Sequence, residues 1–133
     1  MTGFRSAPDI LNAMLAKAEE KLAAARRDFA DGFYGEVSSR AYYAVFHAIS
    51  AVLASQGMTF SSHAQVIGAF NKEFVKTAVF SSDTTRKLQR LFEDRQISDY
   101  DCTGKIDKET ACADLDDAQT LVSVCRDYIL KNV

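Results

Sequence analysis

Hydrophobic positions along the chain recur in a helical rhythm. From Asp9 to Ala30, the residues Leu11, Leu15, Ala18, Leu22, Ala25 and Phe29 alternate spacings of four and three, which draws one apolar stripe along a helix. Asp31-Gly32 then predicts its end. Glu36 to Gln56 is apolar nearly all round between Ala41 and Ala54 and is followed by Gly57, so a buried, central helix is predicted there. Ser62-x-x-Gln65 has the form of a capping box and opens a shorter helix with Val66, Ile67, Phe70 and Phe74 on one side. A fourth helix begins at Asp83 or Thr84, turns Leu88, Leu91 and Phe92 inward, and is expected to fray near Asp99. Asp107 is placed to cap a last helix, in which Ala111, Leu115, Ala118, Val122, Cys125 and Ile129 repeat the spacing of the first. Acids at Asp107, Glu109 and Asp114 crowd its early turns, where the helix dipole favours negative charge.

No stretch reads as a strand, a repeat or a low-complexity segment. The fold class predicted is all-α, an up-and-down bundle of four long helices plus one short helix, forming a single domain over residues 1–133. Composition agrees: 47% hydrophobic and 26% charged residues suit a folded domain, and the single proline lies at the start. No apolar run approaches the roughly 18 residues that a membrane span needs, and the first residues lack the layout of a secretory signal. Cys102, Cys112 and Cys125 are odd in number and unclustered, which predicts reduced thiols in a cytoplasm rather than a disulfide framework or a zinc site. No metal and no cofactor is expected. With a net charge of −2 there is no global basic field, so any RNA contact must be local or built by two chains together.

Two stretches carry candidate chemistry. In "SSRAYYAVFHAISAVLAS", Ser38 to Ser55, Arg40 and His47 are seven residues apart and share a stripe with Tyr43, Ala44, Ala51 and Ala54. They are read either as polar residues satisfied by neighbouring carboxylates and carbonyls, or as the lining of a polar pocket or dimer seam. In "FEDRQISDYDCTG", Phe92 to Gly104, Asp99 lies four residues after Arg95, within reach of a salt bridge. This stretch is read either as a solvated helix end closed by Gly104, or as a site where Arg95 and Tyr100 project into a shared polar cleft. His63, next to the capping serine, is read as a surface residue.

Taken together, "SRAYYAVFHA" on a buried helix, "RQISDYD" at the end of the fourth helix and a last helix ending "RDYIL" resemble the HEPN domain. More narrowly, they are similar to its small stand-alone prokaryotic members, often encoded beside a minimal nucleotidyltransferase. The resemblance spans roughly Ile10 to Leu130. It implies a homodimeric helical bundle, and many members are metal-independent RNases. Their signature is an arginine, four to six variable residues and a histidine, with two copies facing each other across the dimer axis. Cleavage by the 2′-hydroxyl of RNA needs proton transfers, for which histidine is suited, and positive charge on the phosphorane, for which arginine is suited. Arg95 matches the signature arginine. Tyr100 stands at the histidine position, and a phenol is roughly three pKa units from being a useful base at neutral pH, on the order of 4 kcal/mol. Arg40 and His47 formally fit the same spacing, but on the wrong helix. In related toxins the partner enzyme nucleotidylates a tyrosine two residues beyond the histidine; that position here is Cys102, so Tyr100 is a loose match for the acceptor.

Three readings follow from the resemblance. In the favoured one, the chain is the helical partner of a minimal nucleotidyltransferase in a toxin–antitoxin-like module, binding nucleotide or RNA in a dimer-interface groove around Arg95. In the second, it is a metal-independent RNase toxin whose composite site uses Arg95, Asp99 and Tyr100, supported by Arg40, Tyr43 and His47. In the third, it is a structural dimeric scaffold.

Overall fold

The computed structural model describes residues 7–100 and 105–132, where the regular structure is helical throughout. Four long helices, α1 (Ala7–Ala30), α2 (Tyr34–Ser55), α4 (Asp83–Tyr100) and α5 (Lys108–Asn132), and a short α3 (His63–Phe70) form the all-α bundle that the periodicity predicts. Apolar patterning decides which helix is central. The small buried residues of α2, Ala41, Ala44, Ala48 and Ala51, let neighbours approach closely, and α2 packs against α1, α5, α4 and α3. The stripes of α1 and α5 close on it through Leu11, Leu15, Leu22, Leu115, Val122 and Ile129. Each such large aliphatic side chain contributes about 1.5–3 kcal/mol by leaving water.

The predicted caps form. Ser62 Oγ accepts from the Gln65 N–H at 3.1 Å, and Asp107 Oδ1 accepts from the Thr110 N–H at 2.7 Å. The bonds from Thr110 hold the Asp107 carboxyl below its ordinary range. α2 starts earlier than Glu36 and has no side-chain cap. The entry is made by backbone instead: Gly32 turns with φ 81°, and the Phe33 N–H reaches back to the Asp28 carbonyl at 2.9 Å.

Two local features, the π turn and Asp114, depart from the periodic reading. α3 runs directly into a π-helical turn, Asn71–Val75, which rotates Phe74 into an aromatic cluster with Phe70, Phe80 and Tyr128. α4 runs to Tyr100, one residue past the predicted Asp99. Its end is held to the start of α2 by Ser98 Oγ, which donates to the Gly35 carbonyl at 2.5 Å. Asp114, expected to serve the helix dipole, is instead 0% exposed and accepts from Ser38 Oγ at 2.7 Å and Arg90 Nε at 3.2 Å. The expected closure at Gly104 and the position of Cys102 lie outside the described residues. Among the described residues no helix is long and apolar enough to cross a membrane.

Candidate functional site

The inward stripe of α4 is Thr84, Leu88, Leu91 and Arg95, spaced four, three and four. Arg95 therefore occupies what would be the next core position, and the helix delivers a guanidinium where an aliphatic group belongs. It is only 8% exposed. A buried charge at such a position must find partners. Arg95 Nη2 donates to the Tyr43 hydroxyl at 2.6 Å. The guanidinium carbon lies 5.1 Å from the Tyr42 ring centroid, 5.2 Å from Tyr43 and 5.4 Å from Tyr100, so phenol faces surround the charge. Burial opposes the charged form, but the bond to Tyr43 and the neighbouring phenols outweigh it, and Arg95 holds its proton more firmly than an ordinary arginine.

Asp99 lies 3.2 Å from Arg95 Nε, the intrahelical pair that the spacing predicts. The N–H is not aimed at the carboxylate, so Nε is buried without a hydrogen bond. Tyr100 is 71% exposed.

Beside this arginine is a cavity of about 680 Å³ lined by Tyr43, His63, Ile67, Phe92, Arg95 and Gln96, among others. Its size is that of a small-molecule site, mostly apolar with a few convergent polar groups. α2, α3 and α4 each supply part of the wall.

His63 is here, which corrects its reading as a surface residue. It stacks on Phe46 with ring centroids 3.9 Å apart, and its Nδ1 is 3.0 Å from the Tyr42 hydroxyl. Partial burial, then the charge of Arg95, lowers its pKa below the usual 6.5. The signal was legible in the spacing. His63 precedes Val66, Ile67 and Phe70 by three, four and seven residues, and so begins their inward stripe. Its place beside a capping serine suggested solvent instead.

Arg95, Asp99, Tyr100 and Tyr43 are brought together. Arg40 and His47 are not part of this cluster, because about 60° of helical rotation separates Arg40 from Tyr43 and turns it towards α1. Arg40 pairs there with Asp28, and its side chain is 38% exposed. His47 lines a separate groove of about 370 Å³ with Ile10, Met14 and Lys17. Burial first, then Lys21 and Lys17, lowers its pKa.

A second polar cluster lies deeper, where α2, α4 and α5 meet. Burial pushes the Asp114 carboxyl up to about 7; a hydrogen bond shared with Asp94 adds to this, while Ser38 and Arg90 act against it. Arg90 also reaches Asp117.

Residues 11–128 match the profile of the HEPN domain. Among named relatives, a UPF0332 protein of Archaeoglobus fulgidus is 33% identical over 93% of this chain and 98% of its own. A protein of Methanocaldococcus jannaschii bearing the name "Putative toxin" is 30% identical over 92% of this chain and 84% of its own. A UPF0332 protein of Thermotoga maritima is 44% identical over a shorter match, 47% of each chain.

Proposed function

The chain belongs to the HEPN domain family, and we propose that it is a toxin-like member whose cleft around Arg95 binds nucleotide or RNA phosphate, in a homodimer that partners a minimal nucleotidyltransferase. The observation that carries the binding reading is the placement of Arg95. A firmly charged guanidinium forms one wall of a cavity whose other walls are largely aromatic and apolar, with the amides of Gln89 and Gln96 among them. Phosphate recognition needs the charge, and single-stranded bases stack on aromatic faces for about 1–3 kcal/mol each. The phenols around Arg95 keep it buried without neutralising it. Asp99, the adjacent carboxylate, competes with an incoming phosphate and sets how tightly the site holds one.

The test is binding of a labelled short RNA and of AMP to the purified full chain in EDTA, followed by fluorescence anisotropy and calorimetry. Arg95→Ala is expected to weaken binding at least tenfold, the magnitude of one lost charge-assisted hydrogen bond. Asp99→Asn is expected to strengthen it several-fold. Equal affinity in wild type and Arg95→Ala would overturn the binding site. Chelator-resistant cleavage of the RNA that disappears with Arg95→Ala would replace the binding reading with a ribonuclease. Copurification with a coexpressed minimal nucleotidyltransferase tests the partnership, and sedimentation equilibrium tests the dimer.

A further inference from the structure

The cleft holds a histidine, and a single hydrogen bond limits what it can do. Tyr42 is fully buried, and its hydroxyl lies 3.0 Å from His63 Nδ1, a contact in which either atom can donate. Burial pushes the Tyr42 phenol up to about 12, so it keeps its proton at neutral pH. If the imidazole carried its own proton on Nδ1, the buried phenol would be left without an acceptor, at a cost of about 1–3 kcal/mol. The favoured neutral form of His63 therefore has its proton on Nε2.

The stack on Phe46, with 23° between the ring planes, fixes how the imidazole is turned. Tyr42 takes one ring nitrogen, which leaves Nε2 as the ring nitrogen without a partner in the Tyr42 contact, on a residue that lines the cavity. The titratable and charged groups around His63 are Tyr42, Tyr43 and His47 from α2 and Arg95 from α4. None of these is an acid that would hold an imidazolium, so the ring is neutral at pH 7.

We propose that His63 is a neutral hydrogen-bond donor of this cleft, presenting Nε2–H to a nucleotide phosphate oxygen that Arg95 also binds. His63 and Arg95 flank the same two phenols: His63 lies 5.9 Å from the Tyr42 and Tyr43 ring centroids, and Arg95 lies 5.1 and 5.2 Å from them. One fixed charge and one fixed neutral donor suit an anion that already carries its charge. They do not suit proton abstraction, because the lone pair needed by a base is turned to Tyr42. His63 is thus a positioning and recognition residue, not a replacement for the proton-transfer histidine whose place Tyr100 occupies. Ile67, Phe92 and the Tyr43 ring give apolar surface for the attached base, beside the amides of Gln89 and Gln96.

This inference rests on the reading of the Arg95 cleft as a nucleotide site, and the experiment separates the two. Long-range 15N NMR of the free full chain at pH 7.5 reads the His63 tautomer directly. Titration with AMP and with the dinucleoside monophosphate ApA then compares wild type, His63→Gln, His63→Ala and Arg95→Ala. The expected results are an Nε2–H tautomer, affinity kept within about threefold in His63→Gln, whose amide supplies a donor, and a loss of about tenfold in His63→Ala. The tighter ligand identifies the source of the phosphate, a free nucleotide for AMP and an RNA chain for ApA. An Nδ1–H tautomer, or equal losses in His63→Gln and His63→Ala while binding still depends on Arg95, overturns the role of His63 alone. Absence of binding to wild type overturns the nucleotide cleft and this role with it.

Discussion

Asp114 sits between opposing demands. Ser38 and Arg90 donate to its carboxylate, while burial and the neighbouring Asp94 favour the protonated form, and the balance leaves it near pH 7. The folded pKa is raised above the ordinary 3.8, so the stabilising contribution is fully present below about pH 4 and is lost as pH rises through about 7. His47 and His63 act in the opposite sense: their lowered values contribute stability above about 6.5 that is lost as pH falls. Asp114→Asn isolates the first effect, since an amide does not ionise; the loss of one acceptor facing Ser38 or Arg90 adds a cost that does not vary with pH. Urea denaturation should show the variant gaining on wild type between pH 5 and pH 8, by on the order of 1 kcal/mol or more; a constant difference would show that Asp114 does not titrate in this range. Neither Asp114 nor His63 was read correctly from its local motif. An acid near a helix start and a histidine beside a capping serine both suit solvent, and only the position of each within its own apolar stripe marked it as inward.

At the scale of elements, the helices were legible because each carries one sustained apolar stripe and, at Ser62 and Asp107, a side-chain cap. The π turn was not, since Phe70 and Phe74 are four apart and fit an unbroken α-helix equally well; the aromatic cluster with Phe80 and Tyr128 decides the matter from outside. The close contact of α2 with α4 was also invisible. A Cβ on Gly35 would lie 3.1 Å from Ser98 Oγ, the atom that bonds the Gly35 carbonyl. Gly68, on the cavity side of α3, has nothing within 4 Å of an added Cβ. These two glycines predict opposite outcomes for the same change. Gly68→Ala should raise stability by up to about 1 kcal/mol through helix propensity. Gly35→Ala should lower it by about 1 kcal/mol or more as the contact is forced apart. Thermal melts of the two variants check this, and a matching sign would refute the assigned contacts.

For the whole molecule, α2 is the element around which the others assemble, and two faces of it supply different things. One side closes the apolar core with α1 and α5; another presents Tyr43 to the cleft and places Tyr42 and Phe46 beneath His63. The bundle and its central helix could be read from patterning, and Arg95 from its resemblance to a known signature. The composition of the cleft could not, because it joins side chains from α2, α3 and α4 that are far apart in sequence. The inward position of Arg95 has a consequence for how such a protein is selected. An aliphatic residue there would complete the stripe begun by Leu88 and Leu91 and remove a buried Nε that lacks a hydrogen bond. Arg95→Met should therefore lose nucleotide affinity, while the Tyr43 hydroxyl and Asp99 carboxylate that it leaves without their partner offset the gain in burial and keep its melting temperature within a few degrees of wild type. On the proposed reading, ligand binding rather than thermal stability is what holds arginine at this position, and comparing melting temperature with affinity in Arg95→Met separates the two pressures.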